Sequence, residues 1–112
     1  LTMTAPAFDI RVDNISANTP ASMLTQPIDY VKQRKLVFYI GIERVEQQSG
    51  TATGTVDVYV KYKTARNWSK LNTVDLEASN EIDVQTVNGT YTEVKVVPNN
   101  VVGAFNLSIL GY

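Results

Sequence analysis

A regular alternation over residues 55–63 constrains this chain more than any other feature. Val56, Val58 and Val60 fall on one face, whereas Asp57 and the other alternate residues fall on the opposite face. A period of two in β-branched and aromatic residues is typical of a strand with one buried face. We therefore expect the remaining elements of the chain to cover the valine face of this strand.

The rest of the chain carries similar short patterns, separated by turn residues. Residues 36–42 are apolar on both faces, as in a strand that is covered on both sides. Asn88-Gly89 is the strongest hairpin signal, because both residues tolerate the positive φ of a type I′ turn. Residues 47–54 predict a second hairpin, which joins residues 36–42 to the alternating strand.

The complete pattern predicts seven to eight strands and hardly any helix. Short strands at even spacing indicate an all-β fold, an antiparallel β-sandwich or a jelly-roll-like arrangement. The side chains expected in its core are Phe38, Ile40, Val56, Val58, Val60, Val94, Val96, Leu107 and Ile109.

The N-terminal third is less regular. We assign residues 1–34 to an irregular N-terminal arm with a first strand at 8–13, and residues 35–112 to the sandwich, within one domain overall. The arm is richer in large apolar residues than a free tail would be. It is expected to cover the second face of residues 36–42, on its own sandwich or on a neighbouring subunit. An ordinary first strand followed by a long loop is the equal alternative. The residues predicted to contact a partner are Phe8, Ile10, Met23, Leu24, Ile28, Tyr39 and Trp68.

Composition argues against several functional classes. The 112 residues include no cysteine and no histidine, which removes thiolate chemistry and the commonest general base and metal ligand. A net charge of -1 gives no global field for nucleic acid or an anionic membrane, and no apolar run approaches membrane-spanning length. We therefore expect no enzyme activity, no catalytic residue, no cofactor, and neither nucleic acid nor membrane as a partner.

Acidic residues surround a predicted turn at residues 79–80. Carboxylates can hold Ca²⁺, and a pair of them can hydrolyse glycosides. The spacing here matches no calcium-binding loop, and alternating acids are usual on a solvated strand face, so we assign no metal and no catalytic role to them. The residues concerned are Asp75, Glu77, Glu81 and Asp83.

The single tryptophan, Trp68, follows a strand. It could be a sugar-stacking platform or an interface anchor, but the usual burial of tryptophan favours a cap on the sandwich core. Basic residues near Tyr39 and Tyr59 could form the patch that nucleic acid needs, although the acidic balance favours solvated strand edges. These basic residues are Lys32, Arg34, Lys35, Lys61, Lys63, Arg66 and Lys70.

Three features of the C-terminal half support a family resemblance. They are the strand-loop-strand run formed by 55–63 with 67–71, the segment 89–96, and the closing segment 105–112. Together they resemble small β-sandwich proteins of tailed-bacteriophage virions, over about residues 54–112. Discoidin-like and carbohydrate-binding jelly rolls share a similar strand-tryptophan-strand rhythm.

The resemblance implies a non-enzymatic structural protein located in the virion. Such proteins decorate or cement a capsid, or serve as head-tail fittings. The implied partners are the major capsid protein or other virion subunits, and a homo-oligomer is expected. A carbohydrate-binding or adhesin module is the alternative function.

Overall fold

The computed structural model of the protein describes residues 5–46, 50–78 and 81–112. Within these residues the chain forms eight β-strands and two single-turn 3-10 helices, Ala21–Met23 and Tyr30–Lys32. The strands are β1 (Phe8–Ile15), β2 (Thr25–Pro27), β3 (Val37–Arg44), β4 (Thr53–Tyr62), β5 (Ser69–Asp75), β6 (Ile82–Asn88), β7 (Tyr91–Val102) and β8 (Phe105–Gly111).

The strands form two four-stranded antiparallel sheets that pack together. Sheet A has the order β1-β8-β3-β6, and sheet B has the order β2-β7-β4-β5. The predicted all-β sandwich of seven to eight strands is therefore confirmed.

The core lies between the sheets and consists of alternate side chains from both. All nine predicted core residues are buried, among them Val56, Val58 and Val60, each 0% exposed. Burying a valine or leucine side chain stabilises the fold by roughly 1.5–3 kcal/mol, so these buried side chains dominate the stability of the sandwich. The N-terminal segment adds Val12 and Ile15, which were not expected in the core.

The connections between strands differ from the predicted hairpins. Asn88-Gly89 joins β6 in sheet A to β7 in sheet B, and β3 and β4 also lie in different sheets, so both hairpin predictions were wrong. Among the described strands only β4 and β5 are neighbours in both sequence and sheet. Alternation identifies which face of a strand is buried. It does not show which sheet the strand belongs to, because both sheets bury one face in the same core. Residues 47–49 and 79–80, in two of the predicted turns, lie outside the described residues.

The described part of the N-terminal arm is built into the sandwich. β1 pairs with β8 along one edge of sheet A, beginning with Phe8 opposite Gly111, and β2 pairs with β7 at one edge of sheet B. The structure thus revises the predicted division of the chain, because the sandwich begins at Phe8 and not at residue 35. The strand predicted at 8–13 is present as β1; residues 1–4 lie outside the described part.

The described arm of the same chain does not form a layer over the second face of β3. Its strands pair at the edges of the two sheets, and the outward side chains of Val37 and Tyr39 are half-buried. Cover by the arm of a neighbouring subunit stays a prediction. Gly41 of β3 marks a close approach between two strands. A Cβ atom there would lie 2.6 Å from Ser108 Oγ on β8, while the register of β3 shows no shift.

Candidate partner-binding surface

The outer face of sheet B gathers aromatic and charged side chains from three strands. Val58 and Val60 point into the core, so Tyr59 and Lys61 of β4 point outward, and Lys95 of β7 lies opposite Tyr59. The β4–β5 hairpin then brings Trp68, just before β5, over the same face. We call this surface the Trp68 face; its residues are Tyr59, Lys61, Trp68, Glu93 and Lys95.

Ammonium groups contact the aromatic rings of the Trp68 face. Lys95 Nζ lies 4.4 Å from the centroid of the Trp68 ring and 4.9 Å from that of Tyr59. Lys61 Nζ lies 5.4 Å from the Trp68 centroid. An exposed cation–π contact is worth about 0.5–1 kcal/mol, so these contacts hold the half-exposed tryptophan in place over the sheet.

The charges on this face are mixed, with lysines in excess. Lys61 Nζ lies 3.8 Å from Glu93 Oε2, whereas Lys95 lies between two rings. Lys63 extends the arrangement to Tyr30, 6.0 Å from its ring centroid. The face therefore offers aromatic surface together with cations, a combination that suits a partner carrying acidic side chains.

A polar network organised by Asp57 adjoins the Trp68 face. The Asp57 carboxylate accepts hydrogen bonds from Thr73 Oγ1 at 2.6 Å and Asn99 Nδ2 at 2.9 Å, and Lys70 Nζ lies 3.2 Å away. The hydrogen bonds from Thr73 and then Asn99, with a smaller contribution from Lys70, lower the pKa of Asp57 below its ordinary value. The network links β4, β5 and β7, and thereby fixes the sheet that carries the aromatic rings.

The prediction that Trp68 caps the sandwich core was wrong. Val60 lies opposite Ser69 and points inward, so Trp68 falls beside Lys61 on the outer side of the sheet. Sequence alternation indicated that Tyr59 and Lys61 point outward, but not that β7 lies beside β4. The contributions of Lys95 and Asn99 therefore had no signal in the sequence.

Most of the apolar arm residues predicted to bind a partner serve the chain's own core. Ile28 is buried, and Phe8, Ile10 and Leu24 pack against the core cluster. The Phe8 ring meets the Phe38 ring edge-on at 5.9 Å. These four side chains are needed for folding, which accounts for the apolar content of the arm.

The other predicted partner residues lie apart from one another. Met23 is 46% exposed beside β2. Tyr39 is half-buried on the outer face of sheet A, whereas Trp68 and Tyr59 lie on the outer face of sheet B. A single basic patch around both Tyr39 and Tyr59 is therefore absent. Partner binding by Met23, Tyr39 and Trp68 stays a prediction.

The acidic residues near residues 79–80 lie where the β5 edge of sheet B faces the β6 edge of sheet A. Asp75, Glu81 and Asp83 line a depression of about 80 Å³ between the β5 and β6 edges, next to Arg44. Within the described residues, no three carboxylates are grouped closely enough to hold a metal ion. A second depression, of about 100 Å³, lies beside Ser108 on the outer face of sheet A. Neither space is large enough to enclose a drug-sized ligand.

Comparison with known proteins gives a family but no function. A family model described as a domain of unknown function, DUF7265, matches residues 11–109. The chain belongs to this family. The matched residues run from β1 into β8 and so include the whole Trp68 face. No curated protein and no solved structure matches the domain. Across the described residues, no helix has the length and apolar character needed to cross a membrane.

Proposed function

We propose that this protein is a non-enzymatic structural protein of a virion, which binds a capsid or neighbouring virion subunits through the Trp68 face. The observation that carries the proposal is a half-exposed tryptophan held by Lys61 and Lys95 on an open sheet face. Tryptophan and tyrosine are enriched among the residues that dominate binding energy at protein interfaces. A flat face of this kind suits a broad contact with another subunit.

The cations favour a protein partner over a sugar. A sugar ring stacks on a free aromatic face, but two ammonium groups already contact the Trp68 ring. Acidic side chains of a capsid subunit, by contrast, would pair with Lys61 and Lys95 without displacing them. The proposed partner is therefore the major capsid protein or another virion subunit with an acidic surface.

The proposal is tested on particles of the virus whose genome encodes this chain. Mass spectrometry of purified particles should detect the chain, and imaging should place copies on the shell or at the head-tail junction. Recombinant protein added to particles that lack it should bind. The variants Trp68→Ala and Lys95→Ala should each weaken this binding, Trp68→Ala by about 30-fold, the effect of losing an anchor residue at an interface.

A matched control lies on the opposite side of the sandwich. Tyr39→Ala removes an aromatic side chain from the outer face of sheet A and should leave particle binding unchanged if the Trp68 face alone makes the contact, so the variant also tests the predicted role of Tyr39. Loss of binding in Tyr39→Ala but not in Trp68→Ala would move the contact to sheet A. Absence of the chain from purified particles would refute the virion role itself.

The alternative function is a carbohydrate-binding or adhesin module. Trp68 and Tyr59 lie close together on one face, beside the polar groups of Asp57 and Asn99. Sugar-binding sites also combine aromatic rings, on which the sugar stacks, with amide and carboxylate groups that form hydrogen bonds to it. A glycan array probed with intact protein and Trp68→Ala distinguishes the two functions, because specific sugar binding lost in the variant would favour the module.

A further inference from the structure

Strand β6 forms the open edge of the sandwich. Each sheet has two edges, β1 and β6 in sheet A, and β2 and β5 in sheet B. An unpaired edge presents free main-chain N–H and C=O groups, which can pair with another chain. Proteins that avoid such pairing protect the edge with bulges, prolines, charges or a very short strand. Three of the four edges carry a register shift, a proline or a very short strand.

The protected edges are β1, β2 and β5. The register of β1 shifts between Val12 and Ile15, where Asn14 has a φ of 57°. β2 is three residues long and ends at Pro27. A shift in the pairing of β5 with β4 leaves Leu71 without an opposite residue. β6, by contrast, keeps a continuous register with β3 over seven residues and contains no proline, lysine or arginine; its one charged residue is Asp83.

Alternate main-chain groups of β6 point away from the sheet. At its two ends, Gly89 N–H donates to the Leu36 carbonyl, and Arg44 N–H donates to the Glu81 carbonyl. Opposite residues in an antiparallel ladder alternate between bonded and non-bonded pairs, so the odd-numbered residues of this segment bond to β3. The residues whose N–H and C=O groups face the free edge are therefore Ile82, Val84, Thr86 and Asn88.

Two of these four residues expose apolar side chains. Ile82 is 47% exposed and Val84 57% exposed, on the outer face of sheet A. Asp83 and Gln85 lie on the other face of the strand, in register with Ile42 and Ile40. The edge thus combines free hydrogen-bonding groups with apolar surface, as strand-pairing interfaces do.

We propose that β6 pairs with β6 of a second copy of this chain, antiparallel about a two-fold axis at Val84. Sheet A then continues across both protomers. In this register Val84 lies opposite Val84, Ile82 opposite Thr86, and Asp83 opposite Gln85. Apolar or β-branched residues face one another on the outer side, an amide faces the carboxylate on the inner side, and no like charges meet.

The ends of β6 differ in charge. Glu81 and Glu43 lie at its beginning together with Arg44, whereas Lys35 precedes Leu36 at its end. Antiparallel pairing sets the end with two glutamates and one arginine in one copy toward the lysine end of the other, a complementarity that favours this orientation. A second copy meets all these requirements by symmetry, which is why it is the favoured occupant of the edge. This inference does not depend on the proposed virion function.

The oligomeric state in solution tests the proposal. Light scattering after gel filtration, over a range of concentrations, should show a dimer of the intact protein. Val84→Lys places two like charges opposite each other at the axis and should raise the dissociation constant at least about tenfold. Val102→Lys is the matched control, because Val102 is 69% exposed at the end of β7 and should not affect dimerisation.

Two further measurements identify the edge and the register. Mixing the Val84→Lys and Val84→Glu variants should restore a dimer, since the opposed charges then attract. Hydrogen exchange on the unmodified protein should show that the amides of Val84 and Thr86 become protected as concentration rises. A protein that stays monomeric up to about 1 mM would overturn the proposal. So would a dimer in which these amides remain unprotected.

Discussion

The two outer faces of the sandwich arise from the same alternation of side chains but differ in what they expose. On sheet B, aromatic rings and charged groups contact one another through Lys95, Asp57 and their neighbours. On sheet A, Ile82 and Val84 are exposed next to a regular free edge. The first surface is organised by electrostatic contacts between side chains, and the second by main-chain groups and apolar side chains.

This difference separates two kinds of association. Contacts made through exposed charges weaken with added salt, whereas strand pairing depends on main-chain hydrogen bonds and buried apolar area. The two proposals therefore predict different salt dependences: self-association through sheet A should persist in added salt, whereas partner binding through sheet B should weaken. The predictions that follow probe first the core shared by the two faces and then each face separately.

The largest effect is expected in the shared core. Val58 is completely buried, so Val58→Asp would place an unpaired carboxylate between the two sheets and should lower the free energy of unfolding by several kcal/mol, about 4 or more. Urea denaturation measures this loss. Val102→Asp makes the same change at an exposed valine and should change stability by less than about 0.5 kcal/mol. Unchanged stability of the Val58 variant would show that the buried face of β4 is misassigned.

A smaller effect is expected at the polar network of sheet B. The lowered pKa of Asp57 means that the folded state favours the charged carboxylate. Its contribution is complete above the ordinary aspartate pKa of 3.8 and is lost as pH falls through the lower folded-state value. Asp57→Asn should reduce stability by about 1 kcal/mol at pH 7, and this difference should shrink in acid.

The control for this prediction is Asp13→Asn on β1. It removes the same charge at a side chain that is 58% exposed and paired only loosely with Arg11, at 3.6 Å. We expect it to change stability little at any pH. Denaturation curves collected from pH 2 to pH 7 compare the two variants. An equal pH dependence in both would mean that the hydrogen bonds to Asp57 contribute nothing.

A loss of about the same size is expected on the outer face of sheet A. The added methyl group of Gly41→Ala would lie 2.6 Å from Ser108 Oγ, a short side chain that can rotate away, so the loss should be about 1 kcal/mol. The double variant Gly41→Ala, Ser108→Ala should recover it. Gly54→Ala is the contrasting case, because its methyl group would meet main-chain atoms at a φ of 99°, and no side-chain change can relieve it. Thermal unfolding ranks the three variants.

Sequence alternation predicted the buried faces of the strands but not the sheet in which each strand lies. Every predicted core residue is buried, because a period of two reports directly on burial. The Asn88-Gly89 signal reports only that the backbone turns, and the turn leads into the other sheet. Trp68 was predicted as a partner contact, but the residues of β7 that complete the Trp68 face were missed for the same reason, since they join it only because β7 lies beside β4.

The order of strands in sheet A also constrains when the protein can fold during its synthesis. β8 lies between β1 and β3, so β1 has no partner until β8 has left the ribosome. Contacts between such distant parts of a chain form slowly. Until then Val12 and Ile15 have no core to enter, and β3 has only β6 beside it. An incomplete chain therefore exposes apolar strands that can aggregate until β8 has been made.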